Sequence, residues 1–180
     1  MNHEIILETE RLIFRRHRIE DLEAYCAMEA DPEVRRYVGC RPRLREEAEK
    51  RFLTSLQPAI TGLSMWAAVL KPDNKYIGRC GIYPHFDAKS KPIPGEASFG
   101  VYLAKAYWGR GLATEAGQAF INYGFDQLKL NRIVTMIDTR NEASVHVIEK
   151  LGFILTATEL GDPRSFYHFA IENPCIIKLS

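Results

Sequence analysis

The strongest constraint on the fold is a strand, a glycine-containing turn and a helix that follow one another between residues 97 and 128. Residues 97–103 are an apolar run, and 105–107 connect it to a turn that carries Gly109 and Gly111. The next segment, 113–128, has an apolar face and Glu115 in its first turn, as expected for a helix that packs on a sheet. Such an arrangement either binds an anion at the free N–H groups of the helix or is an ordinary strand-to-helix turn.

Hydrophobic periodicity predicts the other elements. Strands are expected over 12–16, 65–70, 76–83, 132–138, 153–157 and 165–171, and helices over 20–30, 33–38, 44–56 and 141–151. Residues 71–75 read as the turn of a hairpin, and 89–95 as a loop inside the domain. This order of elements indicates an α/β fold with a mixed, largely antiparallel central sheet flanked by helices.

Composition limits the classes of function. A chain of 180 residues with 46% hydrophobic side chains is expected to form a single domain over residues 1–180. Its formal charge of +1 argues against a nucleic-acid partner. A polar start and the lack of a long apolar stretch argue against a membrane and for a cytoplasmic location. The scattered cysteines and histidines predict reduced thiols and no metal site.

Two nucleotide-binding motifs can be tested against the glycine turn. Gly109-x-Gly111-x-x-Thr114 imitates a dinucleotide fingerprint, but it has Thr at the third position and lacks the acidic residue expected after the next strand. No P-loop motif is present in the sequence. A nicotinamide-dependent enzyme is therefore the weakest alternative.

The sequences around the turn resemble the GNAT acetyltransferases. The segment GVYLAKAYWGRGLATEA at 100–116 is similar to the acetyl-CoA motif of that family. LNRI at 130–133 is similar to the start of the family's next strand, NEAS at 141–144 to its second cofactor helix, and LGF at 151–153 to the strand after that helix. LETERL at 7–12 and DPEV at 31–34 resemble the branch of the ribosomal-protein alanine N-acetyltransferases. The likeness spans a core of about residues 7–171, and several linked motifs in order are more specific than one.

The resemblance implies a site for acetyl-CoA. The sheet is expected to splay between its fourth and fifth strands, 97–103 and 132–138, so that the main-chain groups of Val101 and Leu103 bind the pantetheine arm. The cofactor residues implied are Val101, Tyr102, Leu103, Trp108, Gly109, Arg110, Gly111, Leu112, Ala113, Thr114, Asn141 and Ser144. Asn141 is equally suited to be a helix N-cap, and Ser144 an ordinary first-turn serine.

The catalytic residues are less defined. Acetyl transfer needs a deprotonated amine that attacks the thioester directly, and Glu96 is a candidate base acting through a water. The commonest acidic position of the branch falls on Ser98, which shares a strand face with Glu96. Glu159 and water alone remain open as alternatives. Ser144 or Tyr167 could protonate the leaving thiolate, although Tyr167 also suits simple packing in a strand.

The acceptor pocket is expected between residues 37–43 and the strand ends at Tyr83, His85 and Tyr167. Arginines near 35–43 could attract an acidic acceptor, but they are also typical of a solvated surface. The sequence predicts an enzyme that acetylates a primary amine, on a small molecule or a protein N-terminus, and leaves a homodimer open. The alternative is a non-catalytic module that binds acyl-CoA or regulates a partner. The presence of Ser98 where the branch commonly has an acidic residue supports this alternative.

Overall fold

The apolar runs of the sequence form the centre of the molecule, as a computed structural model of residues 5–39, 41–57 and 62–177 shows. The strands are β1 Ile5–Glu8, β2 Leu12–Arg15, β3 Ser64–Leu70, β4 Lys75–Phe86, β5 Pro92–Leu103, β6 Arg132–Asp138, β7 Ile154–Glu159 and β8 Phe166–Glu172. The helices are α1 Leu22–Ala30, α2 Pro32–Arg35, α3 Arg45–Ser55, α4 Leu112–Asn122, α5 Glu142–Lys150 and α6 Pro174–Ile177. Lys105–Tyr107 is a 3-10 turn, and a π-helical turn, Tyr123–Gln127, continues α4.

The described strands form one sheet in the order β1-β2-β3-β4-β5-β6-β8-β7. All neighbouring strands are antiparallel except β5 and β6, which are parallel. This agrees with the predicted mixed, largely antiparallel sheet. Because β5 and β6 run in the same direction, the segments that follow them, which lead into α4 and α5, lie at the same edge of the sheet.

Helices cover the two faces of the sheet. On one side, which we call the α4/α5 face, Phe120 and Ile148 pack with core strand residues such as Phe99 and Ile133. On the other, the α1/α3 face, Tyr25 and Phe52 pack on β3 and β4 in a second, smaller cluster. Burying a side chain of the size of Phe120, which is 0% exposed, stabilises the fold by roughly 1.5–3 kcal/mol.

Most predicted elements are present, and the differences have local causes. β1 was not predicted, because its apolar run is only three residues long, 5–7, and the strand pairs only with β2 at the edge of the sheet. The prediction of a loop over 89–95 is wrong in its second half. Pro92–Gly95 begins β5, and its prolines fit a strand whose pairing with β4 is irregular there. α2 spans Pro32–Arg35 rather than 33–38, with Pro32 in the first turn, where its missing N–H costs nothing.

Candidate functional site

A gap opens between β5 and β6. Their described pairing is limited to Glu96–Arg132, Ala97–Ile133 and Ser98–Val134, although both strands continue for several residues. Just beyond the last pair, Thr135 Oγ1 donates a hydrogen bond to the Phe99 carbonyl at 3.1 Å. Past this bond the strands diverge, as the sequence predicted for these two segments. We call the point at Ser98 and Val134 the apex of the gap.

The backbone of β5 is directed into this gap at every second residue. The Phe99 carbonyl faces β6, so the backbone groups of Val101 and Leu103 point the same way, whereas those of Tyr102 face β4. Trp108 Nε1 donates to the Leu103 carbonyl at 2.7 Å and ties the turn after β5 back to the strand end. Of the three predicted strand residues, Val101 therefore has the geometry of a pantetheine partner, and Tyr102 could contact a ligand only through its side chain.

The glycine turn presents its backbone to solvent at the start of α4. Gly109 and Gly111 both have left-handed conformations, with φ of 70° and 75°, which side chains rarely adopt. A Cβ on Gly109 would meet no described atom within 4 Å. Among the described residues no side chain caps α4, so its first N–H groups, in Leu112, Ala113 and Thr114, are available to a ligand. This open, positively polarised helix end fits a pyrophosphate.

Arg110 lies on the exposed rim of the same turn. Its guanidinium stacks over the Tyr107 ring at 5.6 Å, and its carbonyl accepts a hydrogen bond from Arg11 Nη1 at 2.9 Å. The first contact holds the Arg110 side chain beside the turn, and the second fixes the backbone at the position between the two glycines. A guanidinium held here adds positive charge where the phosphates of a nucleotide would lie.

A clamp from the N-terminal segment supports this turn. Glu115 accepts hydrogen bonds from the Thr9 hydroxyl, from Arg11 N at 2.9 Å and from Arg11 Nε at 2.6 Å. Burial opposes the ionisation of Glu115, but these bonds outweigh it and lower the pKa of the carboxyl. The sequence showed Thr9 and Arg11 only as part of a family motif, and the structure gives their physical role in holding the first turn of α4.

α5 begins on the opposite side of the gap. Asn141 caps it, because its side-chain oxygen accepts a hydrogen bond from Ser144 N at 3.2 Å. Because the oxygen is used in the cap, the side-chain nitrogen of Asn141 is the atom that is left for the predicted contact with the cofactor. α4 and α5 approach closely at Gly117, where a Cβ would lie 2.3 Å from Leu151 Cδ1. The glycine therefore allows the middle of α4 to pack closely against the C-terminal end of α5.

The predicted acid and base candidates lie on opposite faces of the sheet. Tyr167 packs against the core on the α4/α5 face, as does the helix that carries Ser144. Glu96 and Ser98 point to the α1/α3 face, since the alternate residues Ala97 and Phe99 are in the core. Glu159, the rival base, bonds His168 Nε2 at 2.9 Å on exposed strand β7. The two groups of candidates therefore lie on opposite sides of the sheet that contains the gap.

A polar group surrounds the apex on the α1/α3 face. His85 Nδ1 lies 3.1 Å from Ser98 Oγ, and His85 Nε2 lies 3.9 Å from a carboxylate oxygen of Glu96. Arg132 Nη1 is 3.6 Å from the other oxygen of Glu96. Tyr83 pairs with Ser98, and burial raises the pKa of Tyr83 to about 12, so its phenol stays protonated at neutral pH.

Two ionic networks, which the sequence did not reveal, shape the expected acceptor side. Arg164 Nε donates to Asp138 Oδ2 at 2.8 Å, and Arg164 also bonds the Tyr37 carbonyl. Asp138 ends β6, and its pKa lies well below the usual range because Arg140 and Arg164 hydrogen-bond its carboxylate. The segment after α2 is thereby joined to the β7–β8 loop. Cys40, inside the predicted pocket segment 37–43, lies outside the described residues.

The second network is buried under α1. Glu29, only 1% exposed, pairs with Arg79 Nη2 at 2.7 Å, with Arg43 Nε at 2.6 Å and with Arg35 Nη1 at 3.3 Å. Arg79 also stacks on Tyr102 at 4.8 Å. In the sequence, Arg79 is a charge inside the apolar run 76–83. Of the arginines near 35–43, Arg35 and Arg43 pair with the buried Glu29, and Arg35 is itself buried rather than part of a solvated surface.

The described ranges add two further findings. No three side chains of His, Cys, Asp or Glu gather there as a metal site would require. Across the same residues, no helix combines the length and apolarity needed to cross a membrane.

Comparison with known proteins identifies the family of this chain. A family model described as an acetyltransferase (GNAT) domain matches residues 11–154. The uncharacterized N-acetyltransferase p20 of Bacillus licheniformis is 32% identical over 153 residues, which cover 82% of this chain and 81% of that protein. The chain therefore belongs to the GNAT family of acetyl-CoA-dependent N-acetyltransferases.

Solved structures agree on the fold. A GNAT-family acetyltransferase from Bacillus anthracis superposes with a TM-score of 0.80 at 23% identity, over 93% of this chain and 98% of that one. RimL, a ribosomal L7/L12 alpha-N-protein acetyltransferase in complex with coenzyme A, gives a TM-score of 0.78 at 18% identity, over 94% and 98% of the two chains. At such identities the likeness concerns the fold alone.

Proposed function

We propose that this enzyme transfers the acetyl group of acetyl-CoA to a primary amine by direct attack within a ternary complex. The observation that carries the proposal is the gap between β5 and β6, whose edge is flanked by the open N-terminus of α4 and by the Asn141 cap of α5. In this proposal the N–H groups from Gly109 to Thr114 bind the pyrophosphate, with Arg110 at the rim. Val101 pairs with the pantetheine arm, which reaches toward the apex.

The two faces of the sheet support a division of roles. The acceptor amine approaches the apex from the α1/α3 face, where Glu96, Ser98 and His85 lie. The leaving sulfur departs toward the α4/α5 face, where Ser144 and Tyr167 are the candidates to protonate it. Attack on one side of the thioester and protonation on the other need both reactants held in line, which the gap provides.

The acceptor is a small-molecule amine or a protein N-terminus. RimL, which shares the fold, is named for the second kind of acceptor. The acceptor would be bounded by the segment after α2 and by the β7–β8 loop, which Arg164 joins. The homodimer stays a prediction, with the exposed side chains of Met136 and Ile154 as its support.

Calorimetry tests cofactor binding with two variants of one residue. Wild-type protein is expected to bind acetyl-CoA, and Gly111→Glu to lose binding, because its carboxylate faces the pyrophosphate. Gly111→Ala is the matched control, since it carries the same backbone strain at φ 75° without a charge. It should retain most of the affinity. Failure of the wild type to bind acetyl-CoA at millimolar concentration would overturn the proposal.

Turnover is tested separately by thiol release with dithionitrobenzoate. The panel contains N-terminal peptides, polyamines and aminoglycosides, each with acetyl-CoA present. Release of thiol that depends on one class of amine identifies the acceptor. Binding without turnover of any amine would contradict the enzymatic proposal and favour an acyl-CoA-binding module instead.

A further inference from the structure

His85 occupies an irregular position in the sheet. Pro84 pairs with Ala97 and Phe86 with Pro92, so the single residue His85 stands opposite residues 93–96 of β5. The regular pairing that ends at Pro84 puts His85 on the same face of the sheet as Tyr83 and Ser98, and irregular pairing of this kind is common beside active sites. Here the imidazole reaches the Ser98 hydroxyl, at 3.1 Å.

This contact places His85 at the apex of the gap. Ser98 is the last residue of β5 that pairs with β6, and the strands separate immediately after it. If the pantetheine arm runs along Val101 toward the apex, the thioester comes to rest beside Ser98. An acceptor nitrogen that approaches from the α1/α3 face then meets the imidazole and the thioester together.

The neighbouring groups favour His85 over the other candidates as the proton acceptor. Glu96 lies between His85 and Arg132, at 3.9 Å and 3.6 Å, and Arg132 also pairs with Glu172 at 3.0 Å. A carboxylate beside the ring stabilises a positive charge that forms on it. Tyr83, across from Ser98, stays a neutral phenol at neutral pH. Imidazole is the side chain that exchanges protons readily near pH 7.

We propose that His85 is the general base of the reaction and that Ser98 fixes the orientation of its ring, an inference that rests on the acetyl transfer proposed above. The neutral imidazole takes one proton from R–NH₃⁺, which leaves R–NH₂. The nitrogen lone pair forms the C–N bond, the C–S bond breaks, and its electron pair leaves with sulfur. Ser144 or Tyr167 gives a proton to the thiolate and regains one from the second proton that nitrogen loses, and His85 then returns its proton to water. Glu96 stabilises the imidazolium and does not itself take the proton.

The test compares His85→Gln with His146→Gln, a matched change at an exposed histidine of α5. Glutamine at position 85 can keep a hydrogen bond to Ser98 but takes up no proton at neutral pH. We expect kcat/KM for the amine to fall about 10²–10⁴-fold, the contribution typical of a general base. The affinity for acetyl-CoA and the unfolding midpoint should stay unchanged. Added imidazole should restore part of the rate, and His146→Gln should behave as wild type.

The pH profile supplies the decisive readout. In wild type the rate should fall at acidic pH, and His85→Gln should lose this limb and follow the deprotonation of the free amine instead. An unchanged rate and profile in His85→Gln would overturn the proposal. So would a loss of activity that accompanies a loss of acetyl-CoA affinity or a lower unfolding midpoint. Absence of acetyl-CoA binding in the wild type would instead refute the proposed function.

Discussion

His17 shows how one residue couples the fold to pH. Its ring lies among Tyr25, Phe52 and Tyr76, with ring centroids 6.2, 5.7 and 5.9 Å away. Nε2 lies 3.1 Å from the Met65 carbonyl, and in the described structure Nδ1 has no hydrogen-bond partner. Burial lowers the pKa of His17 from 6.5 to about 4, against a smaller opposing effect of Asp21. The folded protein thus holds His17 neutral.

This shift predicts a loss of stability in mild acid. Between pH 6.5 and about 4 the unfolded chain binds a proton at His17 that the folded chain does not. The contribution of neutral His17 to the free energy of unfolding is therefore complete above pH 6.5. It declines as the pH falls toward 4, by up to about 3 kcal/mol. Urea unfolding at a series of pH values measures it. In His17→Phe this part of the decline should be absent, and equal slopes in both proteins would contradict the assignment.

Among elements, the Glu29 network joins α1, the segment around α2 and β4. The carboxylate and two of its partners, Arg35 and Arg79, are 1%, 3% and 8% exposed. In the described part of the chain, three guanidinium groups share this carboxylate. Its neutralisation would leave buried positive charge without compensation, which is far more costly than losing an exposed ion pair.

We therefore expect Glu29→Gln to lower the free energy of unfolding by about 3–5 kcal/mol. The matched control is Glu33→Gln on α2, whose pair with Arg36 at 4.0 Å is exposed and should change stability by less than about 1 kcal/mol. Denaturant unfolding of the wild type and of both variants measures the two changes in the free energy of unfolding. Similar small effects would mean that the buried network does not hold these elements together.

Elements with a strong internal pattern could be predicted from the sequence. The strand over 132–138 and the Asn141 cap of α5 are where periodicity and capping chemistry put them. β1 and the start of β5 could not be predicted, because pairing with a neighbour decides their state. Pro92 and Pro94 read as loop residues by local propensity, yet β5 includes them at an irregular point of its pairing with β4.

At the scale of the molecule, the local geometry of the candidate cofactor side could be predicted, and the contacts of the expected acceptor side could not. Gly109, Gly111 and Asn141 lie in contiguous motifs, so the turn and the helix cap that they form follow from local sequence. The contact of Glu115 with Arg11 and that of Arg164 with Tyr37 join residues more than a hundred positions apart. His85 and Ser98 are nearer in sequence, and the antiparallel pairing of β4 with β5 brings them together. No periodicity in the chain specifies such contacts.

The central claim is that acetyl-CoA binds in the gap between β5 and β6, and a crystal structure with coenzyme A tests it most directly. We predict the pyrophosphate on the N–H groups between Gly109 and Thr114, and the pantetheine arm hydrogen-bonded to the backbone of Val101. The sulfur should lie at the apex beside Ser98 and His85. Coenzyme A bound elsewhere, or β5 and β6 paired along their full length with the ligand outside the gap, would contradict the claim.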